Sequence, residues 1–498
     1  MKKTRIFIIS VILFTAVLLF LTGFKRSADL SKVNNDYSGK NPKYIFFFIG
    51  DGMGLPQVGS TEIYAGAMSK SKYPDAPRAL SFTKFPAQGI TTTHDASSFI
   101  TDSASSATAL ATGNKTLNGV INMDVDKKVK YQTIAQKLKE KGKKIGIISS
   151  VSIDHATPAC FYSSVPSRSM MYEISLQLSE SGFDYFAGGS VVDPDGKKSK
   201  MQNKPGNVFD YAKSKGYKVV NNKNDFMKLS KTDGKIWAVT EEPVDAESML
   251  YEIDRPEDRL SLADFTKKGI ELLDNKNGFF MMVEGGKIDW ACHANDGMSA
   301  IKDVFAFDEA IKAAIDFASK HQNDTLIVVT GDHECGGMTI GFAGSKYNTF
   351  FENLSNQKIS YIKFDEKFIE LKKQNPSFEK IFPIIKEYFG LTANGTGKGM
   401  DLSEYELKLL KDAFTESMKD KKERSNNDDA YLNYGGYEPL SVTITHILNR
   451  KAGIGWTTYS HTGVPVPTYA MGVGNELFDG YYDNTDIYKK MASIAKVK

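Results

Sequence analysis

Four of the seven histidines, His155, His293, His333 and His461, stand beside strand ends or Gly-rich turns in company with carboxylates. Imidazole nitrogen and carboxylate oxygen are the donors zinc takes, and a catalytic zinc keeps about three protein ligands and one open position. Asp51 ends an apolar run in Asp51-Gly52-Met53-Gly54, where glycine lets the backbone come close to a metal or phosphate. The segment Glu284-Gly-Gly-Lys-Ile-Asp289-Trp290-Ala-Cys-His293 offers one carboxylate, then an Asp and a His four apart. On a helical turn that spacing lets both face one ion. Asp332-His333 and His461-Thr462-Gly463 follow. Ser103, in Thr101-Asp102-Ser103-Ala104-Ser105-Ser106-Ala107, opens a predicted helix running to Thr112. Free N–H groups and partial positive charge at such a place favour a serine alkoxide and a phosphate. Each motif alone also reads blandly: an Asp-Gly turn, a Ser-rich cap, a polar residue satisfied in a core.

The elements that must position these residues follow from periodicity. Tyr44 to Ile49, Ile145 to Ile148, Phe279 to Val283, Leu326 to Thr330 and Tyr469 to Val473 are short apolar runs, each of the kind a buried strand makes. Gln132 to Lys143 and Ser299 to Lys320 repeat apolar residues at three- and four-residue spacing, as helices do. The alternation predicts an α/β fold, a mainly parallel central sheet flanked by helices. Ligands then bind beyond the carboxyl ends of the strands, where the motifs fall. Residues 344–435 are rich in Lys, Glu and Asn, with helical pattern at Asp365 to Lys373 and Ser403 to Met418, and Ser403 with Glu406 has the spacing of a capping box. This stretch is expected to be a helical insertion or lid between catalytic parts at 25–343 and 436–498. The tract from Lys419 to Asp429 reads as a solvated loop.

Lys2, Lys3 and Arg5 precede an apolar run from Ile6 to Leu21, which predicts an export signal over residues 1–24 and a periplasmic or extracellular protein. Cleavage is the favoured reading, and a membrane tether through residues 6–24 the alternative. Taking those three charges from 63 leaves 60 basic residues against 60 acidic, so bulk charge predicts no nucleic-acid partner. Three cysteines, Cys160, Cys292 and Cys335, cannot all pair within one chain, and small buried packing groups are expected.

Taken together, the motifs in this order resemble the alkaline phosphatase family over nearly the whole catalytic chain. The resemblance implies hydrolysis of small phosphate monoesters through a phosphoserine on Ser103, with two Zn(2+) and one Mg(2+) per subunit. It implies one zinc on Asp289, His293 and His461, a second on Asp51, Asp332 and His333, and magnesium on Asp51, Thr157 and Glu284. It also implies that Arg168, in Pro166-Ser167-Arg168, binds phosphate, and that the protein is a homodimer. His155 and Trp290 depart from the best-known bacterial pattern, which has aspartate and lysine there, so they are expected to modulate magnesium and phosphate contacts. His94, His321 and His446 lie outside the motifs and read as structural or surface residues. A phosphodiesterase of the same superfamily is the nearest rival, and a non-catalytic phosphate- or metal-binding envelope protein a further one.

Overall fold

The computed structural model describes Tyr37, residues 39–69 and residues 76–498; the predicted export segment lies outside them. Fourteen strands run, in chain order, β1 Tyr44–Gly50, β2 Ala87–Thr92, β3 Lys144–Ser149, β4 Tyr185–Gly188, β5 Tyr217–Val220, β6 Lys235–Val239, β7 Phe279–Gly285, β8 Thr325–Gly331, β9 Glu334–Cys335, β10 Thr339–Ile340, β11 Ile454–Gly455, β12 His461–Thr462, β13 Val466–Gly472 and β14 Gly480–Asp483. Ten of them form one sheet in the order β14-β2-β13-β8-β1-β7-β3-β4-β6-β5. Only β13 runs against its neighbours, pairing antiparallel with β8 and β2.

The centre of the sheet is β1, parallel to β7 on one side and β8 on the other, with Gly50 level with Gly285 and Gly331. All seven residues of β1 are buried, as a strand covered on both faces requires. Alternation divides them between two cores. Phe46 and Phe48 turn to one face, where Phe46 meets Phe279 with ring centroids 5.1 Å apart and Phe48 meets Phe307 at 5.8 Å. Phe47 turns to the other and meets Phe161 at 6.0 Å. Each such aromatic side chain contributes about 2–3 kcal/mol by leaving water. The long helix Gly297–Lys320 covers the first face, its buried Val304, Phe307, Ala310 and Ile311 recurring at three- and four-residue spacing.

The predicted strands and helices are present, with bounds shifted by a few residues; the last strand, expected at Tyr469 to Val473, spans Val466–Gly472. Residues 344–435 are helical, with Tyr361–Lys372, Phe378–Phe389, Glu404–Met418 and Asp428–Tyr434. Ser403 caps the third of these, its hydroxyl accepting from Glu406 N while the Glu406 carboxylate accepts from Ser403 N at 2.8 Å. The first three of these helices share an apolar core with Leu440, Ile444 and Leu448 of the helix Pro439–Ala452 and with Met298 and Ile301 of the long helix. Among the described residues no helix is long and apolar enough to cross a membrane.

Candidate active site

Parallel strands end together, so the residues that follow them meet. Asp51 follows β1, Glu284 ends β7, Asp289 and His293 lie on the helix Lys287–His293 just after it, and Asp332 and His333 follow β8. His155 and Thr157 come after β3. The turn after β1 has to be glycine: Gly52 holds φ +68°, and a Cβ there would stand 2.8 Å from the Asp289 backbone. Gly52 N donates to Asp332 Oδ1 at 3.1 Å, tying two strand ends together.

Ser103 is the first residue of the helix Ser103–Thr112, capped by Asp102, whose Oδ1 accepts from Ser105 N at 2.9 Å. Its Oγ lies 3.3 Å from His333 Nε2 and 3.5 Å from Asp51 Oδ1. His333 Nε2 is also 3.3 Å from Asp51 Oδ1 and from Asp332 Oδ2. On the other side, His293 Nε2 is 3.3 Å from Asp289 Oδ2 and 3.1 Å from His461 Nε2. The small ladder β9–β12 places His461 opposite Cys335. The imidazoles of His333 and His461 stack with centroids 3.5 Å apart, so the two halves of the site adjoin.

The donors fall into groups whose ligand atoms lie within 4.8 Å of one another: Asp289, His293, Cys335 and His461; Asp51, Asp289 and His333; Asp51, His155 and Glu284. Asp51 Oδ2, Asp289 Oδ1, Asp332 Oδ2, Glu284 Oε1, Thr157 Oγ1 and His155 Nδ1 are buried without a hydrogen-bond partner. A convergence of buried polar atoms without partners, most of them carboxylate oxygens, is costly unless a cation satisfies them. Burial, then the neighbouring Asp332, Asp289 and Glu284 carboxylates, pushes Asp51 well above the carboxylate range. Burial and then Asp289 do the same to Asp332, and burial raises Glu284 to about 7. Asp289 alone goes far down: burial opposes its charge, but His293, His461 and His333 outweigh it. Its partner His293 rises to about 9 against the effect of burial.

Arg168 stands beside this centre, held from two sides. Nη1 donates to Asp102 Oδ2 at 2.9 Å and Nη2 lies 3.0 Å from His155 Nε2. Burial disfavours the Asp102 carboxylate, yet Arg168 and the Ser105 donors hold it down to about 2. Burial, and then Arg168, lowers His155 to about 3, so its ring is neutral and can accept from the guanidinium. Trp290 is half-buried, its ring nearly perpendicular to that of His155 with centroids 5.8 Å apart. Lys287 Nζ, fully buried, lies 4.6 Å from the Trp290 ring and donates to Ser248 Oγ at 3.0 Å.

Every sequence-predicted site residue converges here. Sequence reasoning missed Asp102 as a partner of Arg168, Lys287 behind Trp290 and Cys335 among the donors. Asp102 carried a signal, as an N-cap acid next to the serine; Lys287 carried none, since a lysine on a helix reads as exposed. All three cysteines are free and buried, as expected.

The model of the family described as alkaline phosphatase matches residues 42–497. The chain belongs to that family. It is a hydrolase, a phosphomonoesterase of the alkaline phosphatase type. It is 34% identical to alkaline phosphatase 3 of Bacillus subtilis over 94% of this chain and 91% of that one. Alkaline phosphatase 4 of the same organism is 32% identical, over 95% and 93%. Among solved structures, a cold-active alkaline phosphatase from a psychrophilic Shewanella superposes with TM-score 0.73 at 27% identity, covering 91% of this chain and 99% of that one. The Thermus thermophilus alkaline phosphatase, at 22% identity and TM-score 0.75 over 95% of both chains, supports the fold.

Proposed function

We propose that this alkaline phosphatase works through a covalent phosphoserine on Ser103, in a centre that holds two zinc ions and one magnesium ion. The observation that carries the reading is the ring of buried, unpartnered donor atoms around a serine at a helix N-terminus. Asp289, His293 and His461 would hold one zinc, and Asp51, Asp332 and His333 the other. These sets mix nitrogen and oxygen, as zinc prefers. Asp51, Thr157 and Glu284 would hold magnesium, which favours oxygen. Thr157 Oγ1 and Glu284 Oε1 fit that part, both buried and unpartnered, while Glu284 Oε2 is engaged by the Ser149 hydroxyl. Bound there, the ions lower the pKa of a coordinated hydroxyl and offset negative charge building on the attacking and leaving oxygens.

The chain's own residues do the rest. Ser103 Oγ attacks phosphorus, the ester P–O bond breaks, and the alcohol departs with the proton the serine gave up. Water then attacks phosphorus, the P–Oγ bond breaks, inorganic phosphate leaves, and Ser103 regains a proton. Arg168 grips phosphate oxygens with its planar fork, pre-aimed by Asp102 and His155. The helix N-terminus at Ser103 adds favourable partial charge.

The test is phosphate release at alkaline pH by the zinc- and magnesium-loaded protein, comparing an aryl phosphate monoester with its diester and wild type with Ser103→Ala. Monoester preference that collapses in Ser103→Ala, with 32P label retained on wild-type serine under acid quench, is the expected result. Activity surviving without Ser103, or diester preference, would overturn the proposal. Export through residues 1–24 belongs to the same proposal.

A further inference from the structure

Tyr459, two places before His461 in the chain, links the helical stretch 344–435 to the site. Its backbone oxygen accepts from His293 Nδ1 at 2.6 Å. With Nδ1 carrying the proton, Nε2 is left with its lone pair facing Asp289 and His461. Thr101 O does the same for His461 through Nδ1 at 2.8 Å. The difference is in what fixes each carbonyl. Thr101 adjoins the cap of the Ser103 helix, whereas Tyr459 sits in the irregular segment between β11 and β12.

The Tyr459 ring supplies the anchor. It is buried among Tyr431, Tyr437 and His446, with centroids at 6.2, 6.2 and 5.8 Å. Its hydroxyl donates to Asn433 O at 2.7 Å. Gly435, at the C-cap of the helix Asp428–Tyr434 with φ +59°, lies flat against the ring: a Cβ there would stand 2.2 Å from it. The adjoining peptide is tied as well. Asn295 Nδ2 donates to Thr458 O at 3.0 Å, and Asn295 Oδ1 pairs with His446 Nε2 at 2.9 Å. His446, outside every motif, is thus part of the support.

We propose that Tyr459 is a positioning residue: its ring, gripped by the Asp428–Tyr434 helix and Gly435, sets the carbonyl that fixes the tautomer and aim of His293 for metal binding. The inference rests on the reading of Asp289, His293 and His461 as one metal set. It gives the helical stretch a part in the chemistry, because loosening Asp428–Tyr434 loosens His293. Partners of this kind, one bond behind a ligand, typically alter metal affinity 10- to 100-fold.

The experiment uses the full chain loaded with zinc, and reads zinc affinity against a chelating dye, the unfolding midpoint, and the imidazole 15N shifts. Tyr459→Ala is expected to lose about 10- to 100-fold affinity for one zinc equivalent and retain the other. Tyr459→Phe, which keeps the ring and loses only the hydroxyl bond, is expected to stay within about fivefold of wild type, a conservative rescue on the same scale. In wild type, His293 should show a protonated Nδ1 and a metal-bound Nε2. Should Tyr459→Ala not fold, that tautomer and Gly435→Ala, which keeps the ring but displaces it with an added Cβ and is expected to weaken the same zinc, decide the matter. Metal on His293 Nδ1, or a folded Tyr459→Ala or Gly435→Ala with lowered midpoint and unchanged zinc affinity, overturns the positioning role. Wild type that binds no zinc with His293 overturns the metal reading itself.

Discussion

Removing the Asp102 carboxylate will loosen the Ser103 helix and weaken phosphate binding, and the geometry sets the two amounts separately. Oδ1 accepts from Ser105 N at 2.9 Å and Ser105 Oγ at 2.7 Å; Oδ2 accepts from Gly119 N at 3.0 Å and Arg168 Nη1 at 2.9 Å. Loss of the cap costs about 1 kcal/mol, and the stranded, half-buried Gly119 N–H about 1 more. Against the effect of burial, Arg168 and then the Ser105 donors hold the carboxyl down to about 2, so these contacts favour its charged form. A depressed carboxyl stabilises above its unfolded value and loses that contribution as pH falls, so the penalty of Asp102→Ala present at pH 7 should fade between pH 4 and 2. Arg168 keeps only its His155 contact in this variant, and must be ordered anew by each phosphate. Ordering one such side chain costs about 0.5–1.5 kcal/mol, which raises the phosphate inhibition constant about 2- to 12-fold. Asp102→Asn restores the cap, since asparagine caps as well as aspartate, but turns an amide toward two donors. It should recover much of the stability and little of the phosphate affinity. Urea unfolding and phosphate inhibition of monoester hydrolysis measure the two effects. An unchanged inhibition constant beside the expected loss of stability would refute the claim that Asp102 aims Arg168.

Asp51→Asn relieves carboxylate crowding with Asp332, Asp289 and Glu284, so it should unfold at higher temperature than wild type in EDTA and at lower temperature with metals, a crossover calorimetry can read. Chelation of wild type should remove about 4 kcal/mol for each ion held near a thousand times its Kd. Lys490, almost fully buried, has its pKa lowered by burial to about 7. The unfolded chain then holds more protons between pH 7 and 10.5, so stability rises with pH there, by up to about 1.4 kcal/mol per unit; Lys490→Met should flatten that slope in denaturant titrations. Phe48→Ala, in the core against Phe307, should cost about 3–5 kcal/mol in urea unfolding, with the chemistry of the remaining folded protein intact.

The sequence by itself determined the donors and the central strands. Apolar runs such as Tyr44–Gly50 and Thr325–Gly331 are local signals, since a strand buried on both faces needs an unbroken apolar stretch. Metal-binding and nucleophilic side chains placed directly after such strands are legible because parallel strands end on one side of the sheet. The strands β2, β4, β5, β6 and β14 were not legible. Four are four or five residues long, and Ala87–Thr92 is a six-residue run broken by Gln, Gly and Thr that alternates between burial and exposure. Only the tertiary structure decided which partners steady the donors. Arg168 finds Asp102 across 66 positions, His293 finds Tyr459 O across 166, and Lys287 is buried under Trp290. A hydrogen bond or ring contact between distant positions leaves no periodicity in either segment; it exists once the sheet brings the two chain ends of the contact together.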